Sequence, residues 1–559
     1  MNLIGNINAI PFRRFRGGGG VAPFPPFPSI PGMIARYSAL GLTNEEMSKN
    51  PVWKDLIGNG HDLQMKNFAW SGMSGVGGYV QNFNYFRNNT TVDKVRIDEQ
   101  SSNSIKVTIL TTGINNAIYI PKNIYQFNKS YFIKISSEGD NEGDLFLSFN
   151  APSTSTATTV KVPLNPNGIT EIPAIKEDDF LAVYLDVGGK VGSITIEQLP
   201  LYPGALVFDG VDDYGTCDNF PVLTKEKGYT VVALRQWDQD FLNTTLTGGL
   251  LSTRNYSTRE GVAFEKIESS NKGYWNLGAG GIIDFAKSPF TWQTSKQYNN
   301  VGILKGDKNH GKPLCVGCGL SGGQHCGRFA IWELVFLDHD ATEEELTKIK
   351  DYFVKTYPWL FPDQAWTVVG KTNEDEDRAT IANITGNGND LVCLNLGFIE
   401  GSGYNEEGEY AGYLVTDGVD DKIVSSVFGM GKDFTIVGDW KFIDNKKSGC
   451  GLVKGSSFYI YNTMIGLDLY INSGSVKNSL DGIKSINAAC SDGRAYDRNW
   501  NEILANTGNV VGFGGTLEVS SSGGRFDRIA FKNLAIYPRI LSKDDCIKAY
   551  NYLQTLKAK

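Results

Sequence analysis

The sequence LVFDGVDD at residues 206–213 decides the fold, because it returns as LVTDGVDD at residues 414–421. In each copy an apolar run leads into Asp-Gly-Val-Asp-Asp. Such a segment is typical of a strand followed by a tight turn, where glycine adopts a positive φ and aspartate oxygens accept hydrogen bonds from free backbone amides. A turn motif that recurs so far along the chain indicates a module that is used twice.

Two further pairs of segments match in the same order. DLIGNGHDL at 55–63 resembles NITGNGNDL at 383–391. GRF at 327–329, which precedes a strand-like run and a helix-like segment, resembles GRF at 524–526. Matches that keep one order predict two copies of one β-sandwich, and short strands between glycine-rich turns predict an all-β protein.

The first copy carries an insertion. Between the first two motifs it is about 120 residues longer than the second copy, which is the size of a domain. The extra segment reads as a series of short strands separated by turn residues. A domain that is spliced into a loop must leave near its entry point, so residues 75–85 and 201–204 are predicted to lie close together.

The motifs therefore predict four parts. They are an extended N-terminal arm at residues 1–32, a first sandwich made of residues 33–82 and 202–361, an inserted smaller jelly-roll sandwich at 83–201, and a second sandwich at 362–559. The arm differs in kind from the rest, because arginines alternate with phenylalanines ahead of four glycines and a proline-rich run. Arginine and aromatic residues are enriched at protein interfaces, which predicts anchoring by Phe12, Arg13, Arg14, Phe15 and Arg16. A disordered tail is the alternative.

The repeated motifs, together with a Ser-x-x-Asp opening to a terminal helix, resemble the laminin-G-like branch of the concanavalin A-like jelly rolls, which includes lectins and glucanases. The resemblance covers about residues 34–359 without the insertion, and residue 366 to the C-terminus. The insertion is similar to carbohydrate-binding-module sandwiches in its strand pattern and length. These motifs imply a fold more than an activity.

Composition excludes several partners. The formal net charge of −8 disfavours nucleic acid and an anionic membrane surface, because both attract a basic protein. A long apolar stretch is absent, so neither a secretory signal peptide nor membrane insertion is expected. Eight cysteines are spread through apolar alternations, which predicts buried, reduced thiols.

The sequence contains two candidate metal sites. Cys-x-x-Cys followed by a His-Cys pair could supply zinc ligands from His310, Cys315, Cys318, His325 and Cys326. Counting back from GRF without gaps aligns the last four of these with Gly512, Gly515, Ser522 and Gly523, so the sequence disfavours zinc and no cofactor is expected. The laminin-G-like resemblance leaves calcium open, with oxygen ligands from the two acidic turns, whereas turn capping by the same side chains is the preferred interpretation. The residues are Asp209, Asp212, Asp213, Asp417, Asp420 and Asp421.

No catalytic set stands out. Glycan cleavage in such a sandwich needs two carboxylates that face one cleft, and the run at 406–409 reads as a solvated loop instead. Four histidines leave little for acid–base catalysis, so an enzyme is not expected. Sugar binding needs exposed aromatic faces beside polar groups. The candidates for it are Trp275, Trp292, Tyr496 and Trp500.

An arm followed by lectin-like sandwiches also looks like virion proteins of tailed phages and prophages of gut Bacteroidota. This resemblance implies a non-enzymatic head fibre or tail fibre that is made and assembled in the bacterial cytoplasm. Its partners would be other virion proteins, bound through residues 1–32, and host-surface glycans, with a homo-oligomer as the expected state. A bacterial glycan-binding adhesin module and a glycoside hydrolase or lyase are the alternatives.

Overall fold

In the computed structural model the chain is described from residue 25 to residue 558. Segments left out within this range are 89–93, 112–116, 139–144, 151–158, 178–179, 181, 188–190, 224–227, 243, 254–262, 267–271, 276–281, 285–289, 295–313, 321–322, 444–449, 455–457, 463–465, 472–478, 482–485, 505–512 and 523–524. The described strands form stacked antiparallel sheets, which confirms the all-β prediction. None of the described helices is long and apolar enough to cross a bilayer.

The first sandwich has two sheets. One consists, in spatial order, of Phe290–Thr294, Thr230–Trp237, Arg328–Leu337, Leu206–Asp209 and Gly75–Val76, with Met33–Ser38 beside Arg328–Leu337. The other contains Val52–Trp53, Leu63–Lys66, Tyr214–Cys217, Leu314–Val316, Gly248–Ser252, Ala263–Lys266, Lys272–Trp275 and Ile282–Asp284, plus the hairpin Cys318–Leu320 and Gln324–Cys326. Its helices are Asn44–Lys49, Gln239–Leu242, Glu343–Thr356 and the 3-10 turn Pro358–Leu360.

The inserted segment forms a sandwich of its own. One sheet holds Val160–Leu164, Leu145–Asn150, Ala182–Asp186, Ala117–Pro121 and Arg87–Asn88. The other holds Ile169–Ile172, Tyr131–Glu138, Gly192–Gln198, Ser104–Ile109 and Val95–Gln100, and the 3-10 turn Phe83–Tyr85 leads into it. Alternating apolar side chains from both sheets, such as Ile105, Val107 and Ile109, fill the core between them.

Entry and exit of the insertion lie side by side. The amides of Leu201 and Tyr202 donate to the carbonyls of Gly78 and Gly77 at 2.9 and 2.8 Å. The buried Gln198 amide oxygen accepts from the Val80 amide, 3.0 Å away. The chain therefore returns to the first sandwich where it left.

The second sandwich repeats the first. Its helix-covered sheet contains Gly403–Asn405, Tyr413–Val415, Ile529–Tyr537, Thr435–Phe442, Ile486–Cys490, Arg494–Asp497 and Glu502–Leu504, with Gln364–Thr367 added to Ile529–Tyr537. The facing sheet contains Thr380–Ile381, Leu391–Leu394, Lys422–Met430, Phe513–Val519, Cys450–Lys454, Phe458–Asn462, Gly466–Ile471 and Ser479–Asp481. Ser521–Ser522 pairs with Arg525–Phe526, and the remaining helices are Gly408–Tyr410 and Lys543–Leu553.

Strand register corrects the third sequence match. Arg328 pairs with Asp209 in the first copy, and Arg528 occupies the same place beside Gly418 in the second. GRF at 327–329 therefore corresponds to residues 527–529 rather than to GRF at 524–526. The cause is a hairpin of unequal length: ten positions separate the bonded Gly317 and Gly327, whereas seven separate Ser520 and Asp527.

One apolar cluster joins all three sandwiches. It lies on the helix-side face of each helix-covered sheet and includes Phe132 of the insertion, Trp332 of the first sandwich and Tyr550 of the second. The Phe132 and Tyr550 rings meet edge to face with centroids 5.3 Å apart. Because this cluster is buried like the interior of a domain, the three sandwiches pack as one body.

Candidate functional site

The acidic turn of the first sandwich is closed by its own carboxylates. Asp209 follows the strand Leu206–Asp209, and its Oδ1 accepts from the Val211 amide at 2.8 Å. Asp213 accepts from the Asp209 amide at 3.0 Å and from the Ser74 hydroxyl at 2.9 Å. These bonds are the turn capping that the sequence favours.

The second turn has the same geometry. Asp417 accepts from the Val419 amide, and Asp421 accepts from the Asp417 amide, both at 2.7 Å. In each turn one oxygen from each of three aspartates lies within 4.8 Å of the others. The structure thus brings together the six predicted side chains in two groups of three, and calcium binding stays a prediction.

Burial perturbs one of these carboxyls strongly. Asp213 is buried, which raises its pKa to about 7, and the nearby charge of Asp209 adds to the shift. The hydrogen bonds from Asp209 and Ser74 oppose it. A carboxyl with a raised pKa stabilises the fold below its unfolded-state pKa, and this contribution is lost as the pH rises to about 7.

We expect Asp213→Asn to be more stable than the wild type at pH 8 by roughly 2–4 kcal/mol and to lack the wild-type fall in stability between pH 4 and pH 7. The amide is nearly isosteric and cannot ionise. Thermal unfolding of both proteins at pH 5 and pH 8 with chelator checks this. Added calcium should raise the wild-type melting temperature at pH 8 only if the turn holds the ion, and an identical pH profile for the two proteins would contradict the assignment.

An aromatic hairpin packs on each acidic turn. In the first copy the Asn67 side chain donates to the Asp212 carbonyl at 3.1 Å, and the Phe68 and Trp70 rings stack with centroids 4.7 Å apart. Trp70 is partly exposed and has φ +51°, which is strained for a bulky side chain. Sequence reasoning missed this tryptophan, although Asn-x-x-aromatic occurs before a Ser/Gly turn in both copies.

The second copy presents this hairpin differently. Asn395 donates to the Asp420 carbonyl at 3.1 Å, and Phe398 has φ +52°. The Arg378 guanidinium lies 5.3 Å from the centre of the Phe398 ring, and the Tyr404 ring stacks against Phe398 as well. The two copies therefore share the backbone conformation of this hairpin. The stacked rings differ, because they are Phe68 and Trp70 in the first copy and Phe398 and Tyr404 in the second.

Two of the predicted sugar-binding residues are wrong. Tyr496 and Trp500 are 0% and 2% exposed, and both belong to the cluster that joins the sandwiches. Their sequence, Ala-Tyr-Asp-Arg-Asn-Trp, looks like an exposed loop, but the turn Asp497–Trp500 packs the Trp500 ring against Tyr550, with the Tyr496 ring beside it. Trp275 and Trp292 lie in strands whose side chains are outside the described residues.

The prediction of buried, reduced thiols is confirmed for Cys217, Cys315, Cys393, Cys490 and Cys546 but is wrong for one pair. Cys318 and Cys326 form a disulfide across the long hairpin of the first sandwich. Cys315 lies beside them as a buried thiol whose pKa is raised to about 12 by burial. By register Cys315 corresponds to Glu518, so the gapless count against zinc was wrong, but the disulfide itself removes two of the candidate ligands.

The proposed anchoring residues Phe12, Arg13, Arg14, Phe15 and Arg16 lie outside the described residues. The description begins in the proline-rich run that follows them. There the Phe27 ring sits 4.2 Å from the Arg36 guanidinium and meets Tyr352 edge to face at 4.8 Å. Ile30 is buried, so this segment is packed on the first sandwich.

No family model and no curated protein matches the chain. Among solved structures, a sialidase of Trypanosoma rangeli is 10% identical with a TM-score of 0.26, over 85% of this chain and 98% of that one. The binding domain of botulinum neurotoxin serotype D is 11% identical with a TM-score of 0.22, over 62% of this chain and 89% of that one. Similarity at this level transfers no activity to this chain.

Proposed function

We propose that the chain is a non-enzymatic attachment protein of a bacteriophage particle, a head fibre or tail fibre. Within the predicted arm at residues 1–32, residues 1–24 bind other virion proteins, and the lectin-like sandwiches face outward to contact host-surface glycans. It acts as a homo-oligomer that is assembled in the bacterial cytoplasm. The observation that carries this proposal is that the segment after residue 24 packs on the first sandwich, which one apolar cluster joins to the other two sandwiches.

Packing of this segment on the first sandwich supports the proposal, because a partner bound to the arm would then hold the whole body of three sandwiches. Phe27 is held between Arg36 and Tyr352, and Arg36 in turn bonds Glu333 at 3.0 Å in the central strand of the sheet. Residues 25–32 therefore belong to the first sandwich rather than to a free tail. Residues 1–24 are what remains for binding a partner.

The Phe68–Trp70 hairpin supports glycan contact. A stacked, partly exposed aromatic pair next to acidic oxygens offers an apolar face and hydrogen-bond acceptors, which are the two features that sugar rings require. The nearby disulfide supports display outside the cell, because disulfides persist on virion and cell surfaces and are rare in the cytoplasm.

Particle assembly and glycan binding test the two halves of the proposal. We expect a chain that lacks residues 1–24 to fold but to be absent from purified particles, because its partner-binding segment is gone. We expect Trp70→Ala to assemble normally but to lose about tenfold or more in binding to a glycan array, as aromatic stacking contributes roughly 1–3 kcal/mol.

The truncation stops at residue 24 because removing Ile30 and Phe27 would expose the first sandwich. Tyr119→Ala, a change on the insertion away from the hairpin, is the matched control for the array. Incorporation of the truncated chain into particles would refute anchoring by the arm. Unchanged glycan binding by Trp70→Ala would remove the hairpin from the proposal.

A further inference from the structure

The helix-side faces of the two helix-covered sheets are equivalent by register but carry different chemistry. In the first sandwich this face holds Gln236 and the fully buried Trp332. The terminal helix of the second sandwich covers them: the Tyr552 hydroxyl bonds Gln236 at 3.0 Å, and its ring lies 6.3 Å from Trp332. This face of the first sandwich is therefore buried in a contact between sandwiches.

The second sandwich has two lysines at the same register positions. Lys441 corresponds to Gln236, and Lys532, at the bulge of its strand, corresponds to Trp332. Bulges re-aim side chains and often occur next to functional sites. The Tyr413 ring lies under both ammonium groups, 4.5 Å from Lys441 and 5.6 Å from Lys532. The pair thus shares one aromatic platform.

Two carboxylates next to this platform are already neutralised. Asp439, which is buried, accepts one bifurcated hydrogen bond from the Tyr413 hydroxyl, at 3.0 and 2.9 Å from its two oxygens, and lies 3.9 Å from Lys532. Glu171 of the insertion pairs with Arg498 at 3.3 Å. Among the residues that the structure describes, Lys441 forms no ion pair within 4 Å, and its ammonium group lies over the Tyr413 ring.

The platform therefore carries an excess positive charge that is poorly solvated. Burial lowers the pKa of Lys441, and repulsion from Arg498 and Lys532 adds to the shift, whereas attraction to Asp439 and Glu171 opposes it. Three cations, Lys441, Lys532 and Arg498, face two carboxylates, so one positive charge is in excess, and a bound anion relieves the cost of burying it. Lys441 is partly exposed and the Arg498 side chain is 41% exposed, so these two cations reach solvent beside the insertion.

We propose that Lys441, Lys532 and Arg498 bind an oxyanion at the seam between the insertion and the second sandwich, supplied by an acidic saccharide. The carboxylate of a uronic acid or a phosphate on a sugar has this chemistry, and the Tyr413 platform lies directly under the lysines. The proposal specifies the glycan part of the proposed function and rests on it. It uses a surface other than the Trp70 hairpin.

Calorimetry on the full chain at low salt tests the site with three probes: trigalacturonic acid, its carboxyl-reduced neutral counterpart and inorganic phosphate. We expect the acidic saccharide to bind, the neutral one not to bind at this site, and added salt to weaken the interaction. Lys441→Gln should weaken binding of the acid by about tenfold or more, because one charge-assisted contact is lost. This variant installs the residue that the first sandwich has at the same register position.

Lys543→Gln, at an exposed lysine of the terminal helix, is the control and should bind as the wild type does. Lys441→Arg should restore most of the affinity. Phosphate binding that depends on Lys441 while the saccharide does not bind would support an oxyanion site with phosphate as its source. Equal binding of the acid by wild type and Lys441→Gln, or no binding of either anion, would overturn the proposal.

The proposals for the two glycan surfaces can be refuted independently of each other. Loss of acid binding in Lys441→Gln with an unaffected Trp70→Ala variant would leave the seam as the saccharide site and remove the hairpin. The reverse result would remove the seam and leave the hairpin.

Discussion

Replacing Arg36 by methionine is expected to lower the free energy of unfolding of the first sandwich by about 3–5 kcal/mol, because it leaves a buried carboxylate without its partner. Glu333 is fully buried, and Arg36 reaches it through two hydrogen bonds of 3.1 and 3.0 Å. The Tyr357 hydroxyl, which donates at 2.8 Å, is then the main remaining donor. Urea unfolding followed by tryptophan fluorescence measures the loss.

The pH dependence of this loss separates an unpaired charge from a simple packing defect. Burial raises the pKa of Glu333, and the Arg36 charge opposes that shift. Without Arg36 the pKa rises further, so ionising Glu333 costs more and the variant should lose more stability at pH 8 than at pH 5. Arg36→Met combined with Glu333→Leu should recover most of the stability. A double variant as unstable as the single one would contradict this account.

Replacing Trp500 by alanine is expected to cost about 3–5 kcal/mol in the stability of the second sandwich. Its ring is buried against Tyr550, with centroids 5.6 Å apart, and lies 6.2 Å from Tyr496. The cavity would open inside the cluster that joins the sandwiches, where Phe132 packs on the other side of Tyr550. Thermal unfolding of the full chain measures the loss.

Trp70→Ala is the comparison for Trp500→Ala. Trp70 is only partly buried at the edge of the first core, so its truncation should cost clearly less than that of Trp500. Equal losses in the two variants would mean that burial does not distinguish these tryptophans. The comparison also checks the glycan assignment, since a binding defect in Trp70→Ala is interpretable only if the protein stays folded.

The repeat and the insertion were predictable because both rest on turns. Turn residues such as Gly210 and Gly418 have φ of +78° and +75°, a backbone requirement that the sequence must display. The capping aspartates obey the same local rule, so their grouping at 209–213 and 417–421 followed from sequence alone. Local chemistry of this kind needs no knowledge of distant contacts.

Features that depend on distant contacts escaped the sequence. The burial of Tyr496 and Trp500 arises from packing on a helix that begins more than forty residues later, at Lys543. Extra residues in the Cys318–Cys326 hairpin shifted a gapless count, and the disulfide partner could not be read from spacing. Lys441 has no distinguishing local pattern; only its register against Gln236 shows what is unusual about it.

The position of the inserted sandwich also determines which part of the chain can fold first during synthesis. Met33–Ser38 must wait for Arg328–Leu337, about 300 residues later, which takes about 15–60 s at elongation rates of about 5–20 residues per second. The insertion's strands pair within residues 87–198, so it can fold during that wait. Once folded, it holds Gly78 next to Leu201 and shortens the effective loop between Val76 and Leu206, which pair directly. We therefore expect a folded insertion to delay closure of the first sandwich much less than an unfolded segment of the same length would.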